Sequence, residues 1–125
     1  MNKERFSVKS RMKSFYYAFK GIKTLIVGEH NAWIHCFAAI CVIISGFLLH
    51  ISATEWLMVV FAIGFVFAME AFNSAVEILC DYVSPERREM IGKVKDLAAG
   101  AVLIAAITAA IVGGIVFFPK IVALF

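Results

Sequence analysis

The sequence predicts an all-α integral membrane protein: an N-terminal amphipathic helix on the membrane surface, followed by three helices that cross the bilayer. Three observations predict it. Hydrophobic residues fill 62% of the 125 positions and the mean hydropathy is +0.90, well outside the range of soluble domains. Apolar stretches at 33–49, 56–79 and 97–118 each approach the roughly 20 residues needed to cross a hydrocarbon core. Ahead of them lies a basic segment whose apolar positions recur at helical spacing. The length allows one domain, 1–125, with a surface helix at about 7–27 and spans at about 31–50, 55–80 and 97–118.

In the first element, Met12, Phe15, Phe19, Ile22 and Ile26 follow one another at intervals of three and four, while Lys9, Lys13 and Lys20 project from a different side. Such a helix carries too many charges to span. It has the apolar face needed to lie at the inner surface, with its lysines turned towards headgroups or an anionic ligand. Gly28-Glu29-His30-Asn31 then forms a polar corner that puts Glu29 at the water boundary, where an acid can cap the next helix or serve a site.

The first span opens at Trp33 and the second at Trp56, residues suited to the two interfacial belts. Ile51-Ser52-Ala53 loosely resembles a signal-peptide cleavage site. The charged region before the span is too long for such a peptide, so a retained helix is expected. Cys36, Cys41 and Cys80 are too scattered for a zinc or redox spacing and suit small apolar packing.

Positive charge sets the orientation. Lys3, Arg5, Lys9, Arg11, Lys13, Lys20 and Lys23 precede the first span, and Arg87, Arg88, Lys93 and Lys95 lie between the second and third. The connection at 50–55 has no Lys or Arg, and the C-terminal tail has only Lys120. Short cytoplasmic flanks collect Lys and Arg, which places the N-terminus and second connection inside and the C-terminus outside. Residues 84–95, with Pro85 and Gly92, are expected to form a charged connector, with Lys95-Asp96 opening the last helix; its Leu97-Ala98-Ala99-Gly100-Ala101 allows close helix approach.

The second span carries the chemistry. Glu70, Asn73, Ser74, Glu77 and Asp81 share a stripe of roughly 100° at helical periodicity. Counting from Trp56, Glu70 lies roughly 21 Å along the helix, past the bilayer centre towards the cytoplasm. Ionisable groups at that depth are costly, and by default they mark a functional site. Glu29, Glu70, Glu77, Asp81, Lys95 and Asp96 all gather near one bilayer face.

Carboxylates with an amide favour a hard divalent cation such as Mg²⁺, which usually brings phosphate oxygens with it. Nearby lysines can neutralise transferring charge, and a carboxylate at depth can act as a general base towards a lipid hydroxyl. Neither G-x-x-x-x-G-K-[ST] nor G-x-G-x-x-G occurs, so no familiar nucleotide loop is present. From the residues alone, two alternatives stay open: a small cation- or proton-coupled transporter using Glu70, and a polar stripe that only assembles helices.

The block Glu70-Ala-Phe-Asn73-Ser-Ala-Val-Glu77, with Lys93-Val94-Lys95-Asp96-Leu-Ala-Ala-Gly-Ala-Val-Leu103 after the connection, resembles the signature of the small prokaryotic diacylglycerol kinase and undecaprenol kinase family. The resemblance extends over nearly the whole chain, including 14–21 and Glu29. It implies a homotrimeric bundle in a bacterial inner membrane, with active sites shared between subunits on the cytoplasmic side. The implied reaction is direct phosphoryl transfer from MgATP to a lipid hydroxyl. The partners implied are ATP and a lipid alcohol, undecaprenol or diacylglycerol, with no nucleic acid.

By the same resemblance Glu70 is the base and Asn73 orients groups beside it. Glu29 and Glu77 hold the metal, Lys95 contacts the γ-phosphate, and Asp96 binds nucleotide. Tyr17, Lys13 and Arg11 contribute from the surface helix. The sequence departs from the pattern at Trp33, where relatives often carry Arg before Ile-His. The stretch 97–101 is more similar to the undecaprenol-using branch.

Overall fold

The computed structural model describes residues 6–86 and 88–125, so Lys3, Arg5 and Arg87, used above for orientation, lie outside the described residues. The chain forms four helices: α1 (Val8–Gly28), α2 (His30–Leu48), α3 (Ala53–Val83) and α4 (Glu89–Val122). The last three are long and apolar enough to cross a membrane. At 1.5 Å per residue α3 is about 46 Å long and α4 about 51 Å, both longer than the roughly 30 Å hydrocarbon core.

Each junction has a local cause. Ser7 caps α1 by accepting from the Ser10 amide at 3.4 Å. The polar corner shrinks to one extended residue, Glu29, at φ −115° and ψ 119°. Its amide donates to the Leu25 carbonyl, and the Trp33 indole Nε1–H donates to the carbonyl of Ile26. The two bonds satisfy carbonyls that the end of α1 leaves open.

The α2–α3 connection turns on His50, whose φ of 52° is left-handed. Its amide donates to Phe47 O, and that of Ile51 to Gly46 O, the paired bonds of a Schellman ending. Ser52 and Glu55 then start α3 with reciprocal bonds of 3.2 and 2.9 Å, a capping box.

The start of α4 corrects the sequence expectation. Residues 89–95 are helical, leaving only 84–88 as connector, so Lys95 and Asp96 lie two turns inside the helix. Pro85 stays outside it. Glu89 in the first turn meets the positive end of the helix dipole. Gly92 costs about 1 kcal/mol relative to Ala, which a long helix packed along α3 can bear.

The centre of the bundle is α3, which packs most extensively on α4 and also touches α2 and α1. Where the α2–α3 turn meets the C-terminal end of α4, Ile51, Val59, Val116 and Phe117 form a buried cluster flanked by Val42, Trp56 and Val112. Trp56 packs against Phe47, with ring centroids 4.8 Å apart. It lies so close to Gly46 that a Cβ there would come within 2.7 Å of the indole. Lys120 Nζ and Glu55 Oε1, 3.1 Å apart, tie α4 to the start of α3. Elsewhere large apolar side chains such as Phe37, Phe61 and Phe118 are exposed, as expected of surfaces that face lipid or other subunits.

Candidate active site

The polar stripe of α3 lies at the opposite end from this cluster. Glu70 is almost fully buried, with 1% of its surface exposed. Its Oε1 lies 3.0 Å from Nε2 of His35 on α2. In the tautomer with its hydrogen on Nε2, the imidazole donates to this oxygen. The second oxygen, Oε2, accepts no hydrogen bond among the described residues. The imidazole is set edge-on to Phe67, 6.4 Å between centroids.

One turn along, Asn73 Oδ1 and Ser74 Oγ are buried without a hydrogen-bond partner among the described residues. Orphaned buried polar atoms are uncommon, and each calls for an explanation such as a bound group. Here two of them adjoin a buried carboxylate with a free oxygen.

Further along, Glu77 is half-buried and Asp81 exposed. Asp81 Oδ1 accepts from Lys95 Nζ at 2.6 Å across the α3–α4 interface. Glu77 contributes to the field at the same ammonium. Asp81 therefore holds Lys95 beside the acidic stripe. Asp96 is exposed, with no ion pair among the described residues.

The other sequence candidates are less closely drawn in. Glu29 occupies the N-cap position of α2, yet its side chain makes no capping bond, so its carboxylate is uncommitted among the described residues. Arg11, Lys13 and Tyr17 are exposed on α1. Arg11 sits over the ring of Phe6 and Tyr17 lies edge-on to Tyr16. Among the described residues no three His, Cys, Asp or Glu converge as a metal cage.

His35 also borders an apolar groove of about 360 Å³ between α2, α3 and α4. The rest of the lining is aliphatic, aromatic or glycine, including Ala39, Val66, Phe67, Ala106 and Ala110. An imidazole on the border of an oily groove suits an amphiphile with its polar group at that residue. Sequence reasoning missed His35 as a site residue. The available signal was an ionisable residue in an otherwise apolar span.

Comparison with known proteins gives a consistent picture. The sequence profile of the family described as prokaryotic diacylglycerol kinase matches residues 16–117. An undecaprenol kinase of Bacillus subtilis is 37% identical over 109 residues, covering 87% of this chain and 89% of the relative. A diacylglycerol kinase of Synechocystis is 36% identical over 112 residues, 89% of this chain and 64% of the relative. One from Haemophilus influenzae is 34% identical over 108 residues, covering 86% and 92%.

The orphaned hydroxyl of Ser74 generates a stability prediction. Ser74→Ala removes a buried group that has no partner among the described residues, so it should leave the melting temperature in micelles unchanged or raise it, by a gain of up to about 1 kcal/mol. A loss larger than that would mean the hydroxyl is satisfied in the folded protein.

Proposed function

This chain belongs to the prokaryotic diacylglycerol kinase family and is a membrane lipid kinase that uses a nucleotide co-substrate; from that premise we propose undecaprenol as its preferred acceptor, MgATP as its phosphoryl donor and Glu70 as its general base. The transporter alternative is not favoured by this membership. What carries the mechanistic reading is Glu70, a carboxylate buried in a span, held through one oxygen by His35 and unclaimed at the other among the described residues.

In the proposed reaction Oε2 of Glu70 takes the proton of the lipid hydroxyl as that oxygen attacks the γ-phosphorus. The bond between the γ-phosphorus and the β–γ bridging oxygen breaks, and ADP leaves with the electron pair. Catalysis of this kind rests on positioning and charge stabilisation. Lys95, held at the stripe by Asp81, would neutralise γ-phosphate charge, and Asp96 would contact the nucleotide. Asn73, whose Oδ1 is buried without a partner among the described residues, would orient groups beside Glu70. Arg11, Lys13 and Tyr17 would reach the phosphates from α1, lying on the inner membrane surface.

Glu29 and Glu77 fit a Mg²⁺ site. Among the described residues neither carboxylate forms an ion pair or a hydrogen bond, which leaves both free for an ion held by one or two carboxylates plus substrate phosphates. When bound, the ion supplies charge neutralisation across the phosphates. The apolar groove that ends at His35 offers a path for the acceptor's hydrocarbon chain. We place the protein in a bacterial inner membrane with the N-terminus and 84–88 cytoplasmic. We further propose a homotrimer whose subunits share active sites, as the family resemblance implies.

The acceptor is tested with purified protein in micelles, Mg²⁺ and γ-labelled ATP, giving undecaprenol and diacylglycerol side by side. Label should enter undecaprenol faster, and Glu70→Gln should lower that rate by roughly 10²-fold or more, the scale of a lost general base. Equal or faster labelling of diacylglycerol would overturn the acceptor assignment. For the metal, Glu77→Gln should raise the Mg²⁺ concentration needed for half-maximal rate by roughly tenfold, the cost of one good charged ligand contact. An unchanged Mg²⁺ dependence would remove Glu77 from the ligand set.

A further inference from the structure

Glu70 has one polar partner among the described residues, and it comes from another helix. The side chains of His35 and Glu70 are 23% and 2% exposed, respectively, so the imidazole stands between the buried acid and the groove it borders. We propose that His35 is a positioning residue for phosphoryl transfer: by donating from Nε2 to Oε1 of Glu70 it fixes the carboxylate so that Oε2 faces the acceptor hydroxyl.

The inference rests on Glu70 being the base and adds the device that makes it usable. A carboxylate with no partner in a low-dielectric site is strongly disfavoured as an ion. A charge-assisted hydrogen bond to one oxygen stabilises the ionised form and removes the rotational freedom of the carboxylate plane. With Oε1 accepting from His35, Oε2 is the oxygen left open to the proton. A base held in this way is set before substrate arrives, whereas a free side chain would have to be ordered during the reaction.

The surroundings leave this role to His35. On α3 itself, Glu77 and Asp81 lie about two and three turns from Glu70. On α4, Lys95 is committed to Asp81 and Asp96 is exposed. Glu29 sits at the α1–α2 joint, and Lys9, Arg11, Lys13, Lys20 and Lys23 of α1 are exposed. None of these forms an ion pair or hydrogen bond with Glu70 among the described residues. The edge-on contact with Phe67 limits the tilt of the imidazole, so the donor is itself positioned by packing.

The test uses full-length protein in micelles with MgATP and the lipid acceptor it phosphorylates faster. His35→Leu should lower kcat by roughly 10- to 100-fold, the factor matching loss of a charge-assisted hydrogen bond, with KM for MgATP unchanged. His35→Gln, whose amide can still donate, should recover most of that loss. A lesion that only loosened the helices would not be rescued by a donor.

A second measurement needs no variant at position 35. In ¹⁵N spectra of the ring, His35 Nε2 should carry a hydrogen-bonded proton that shifts when Glu70 is replaced by Gln. His35→Leu with wild-type kcat, or a His35 ring indifferent to Glu70→Gln, would overturn the proposal. If Glu70→Gln itself kept the wild-type rate, the base assignment would fall and this inference with it. An inactive Glu70→Gln beside a fully active His35→Leu would remove His35 alone.

Discussion

The energetic problem at the centre of this molecule is one carboxylate inside a membrane-spanning helix. Glu70 is shielded almost completely, and a charge at that depth is tolerated only when something compensates it. The compensation comes from His35 on the neighbouring span, so the crossing of α2 and α3 has to bring those two side chains into register. The partner of the acid and its separation from the groove by the imidazole both follow from that crossing.

The rest of the bundle divides between holding this crossing and leaving room beside it. At one end the contacts are tight: the Ile51–Val59–Val116–Phe117 cluster, Trp56 against Gly46, the capping box of α3 and the Glu55–Lys120 pair. Such contacts fix where α3 and α4 begin and end relative to each other. At the other end the same helices carry acids, an ammonium and two buried polar atoms without partners among the described residues. Stability is concentrated away from the chemistry, and the site keeps unsatisfied groups that a substrate can satisfy. Proteins commonly give up local stability at a functional site in this way.

Much of the fold could be read from hydropathy and periodicity. The stripe from Glu70 to Asp81 was visible because side chains three and four apart share a helix face whatever the tertiary structure. The three spans were visible because the bilayer sets a minimum apolar length. The start of α4 was misread because Pro85 and Gly92 look like breakers. Only Pro85 lies outside the helix, and α4 absorbs the glycine. Contacts between helices were not legible. The pairing of His35 with Glu70, and of Lys95 with Asp81, depends on crossing angles and on the length of the 84–88 connection, which local spacing does not encode. Trp33, read as an interfacial anchor, has its indole N–H bound to α1. Tertiary structure thus gave that side chain a further task.

The central claim is that the acids of α3 and the Lys95 ammonium face the compartment that holds ATP. The direct measurement is topology mapping: Cys36, Cys41 and Cys80 are replaced, one cysteine is placed at Glu86, and a membrane-impermeant thiol reagent is applied to sealed vesicles of known orientation. Labelling is expected only from the cytoplasmic side. Labelling of position 86 from the outside, where no ATP is available, would contradict it.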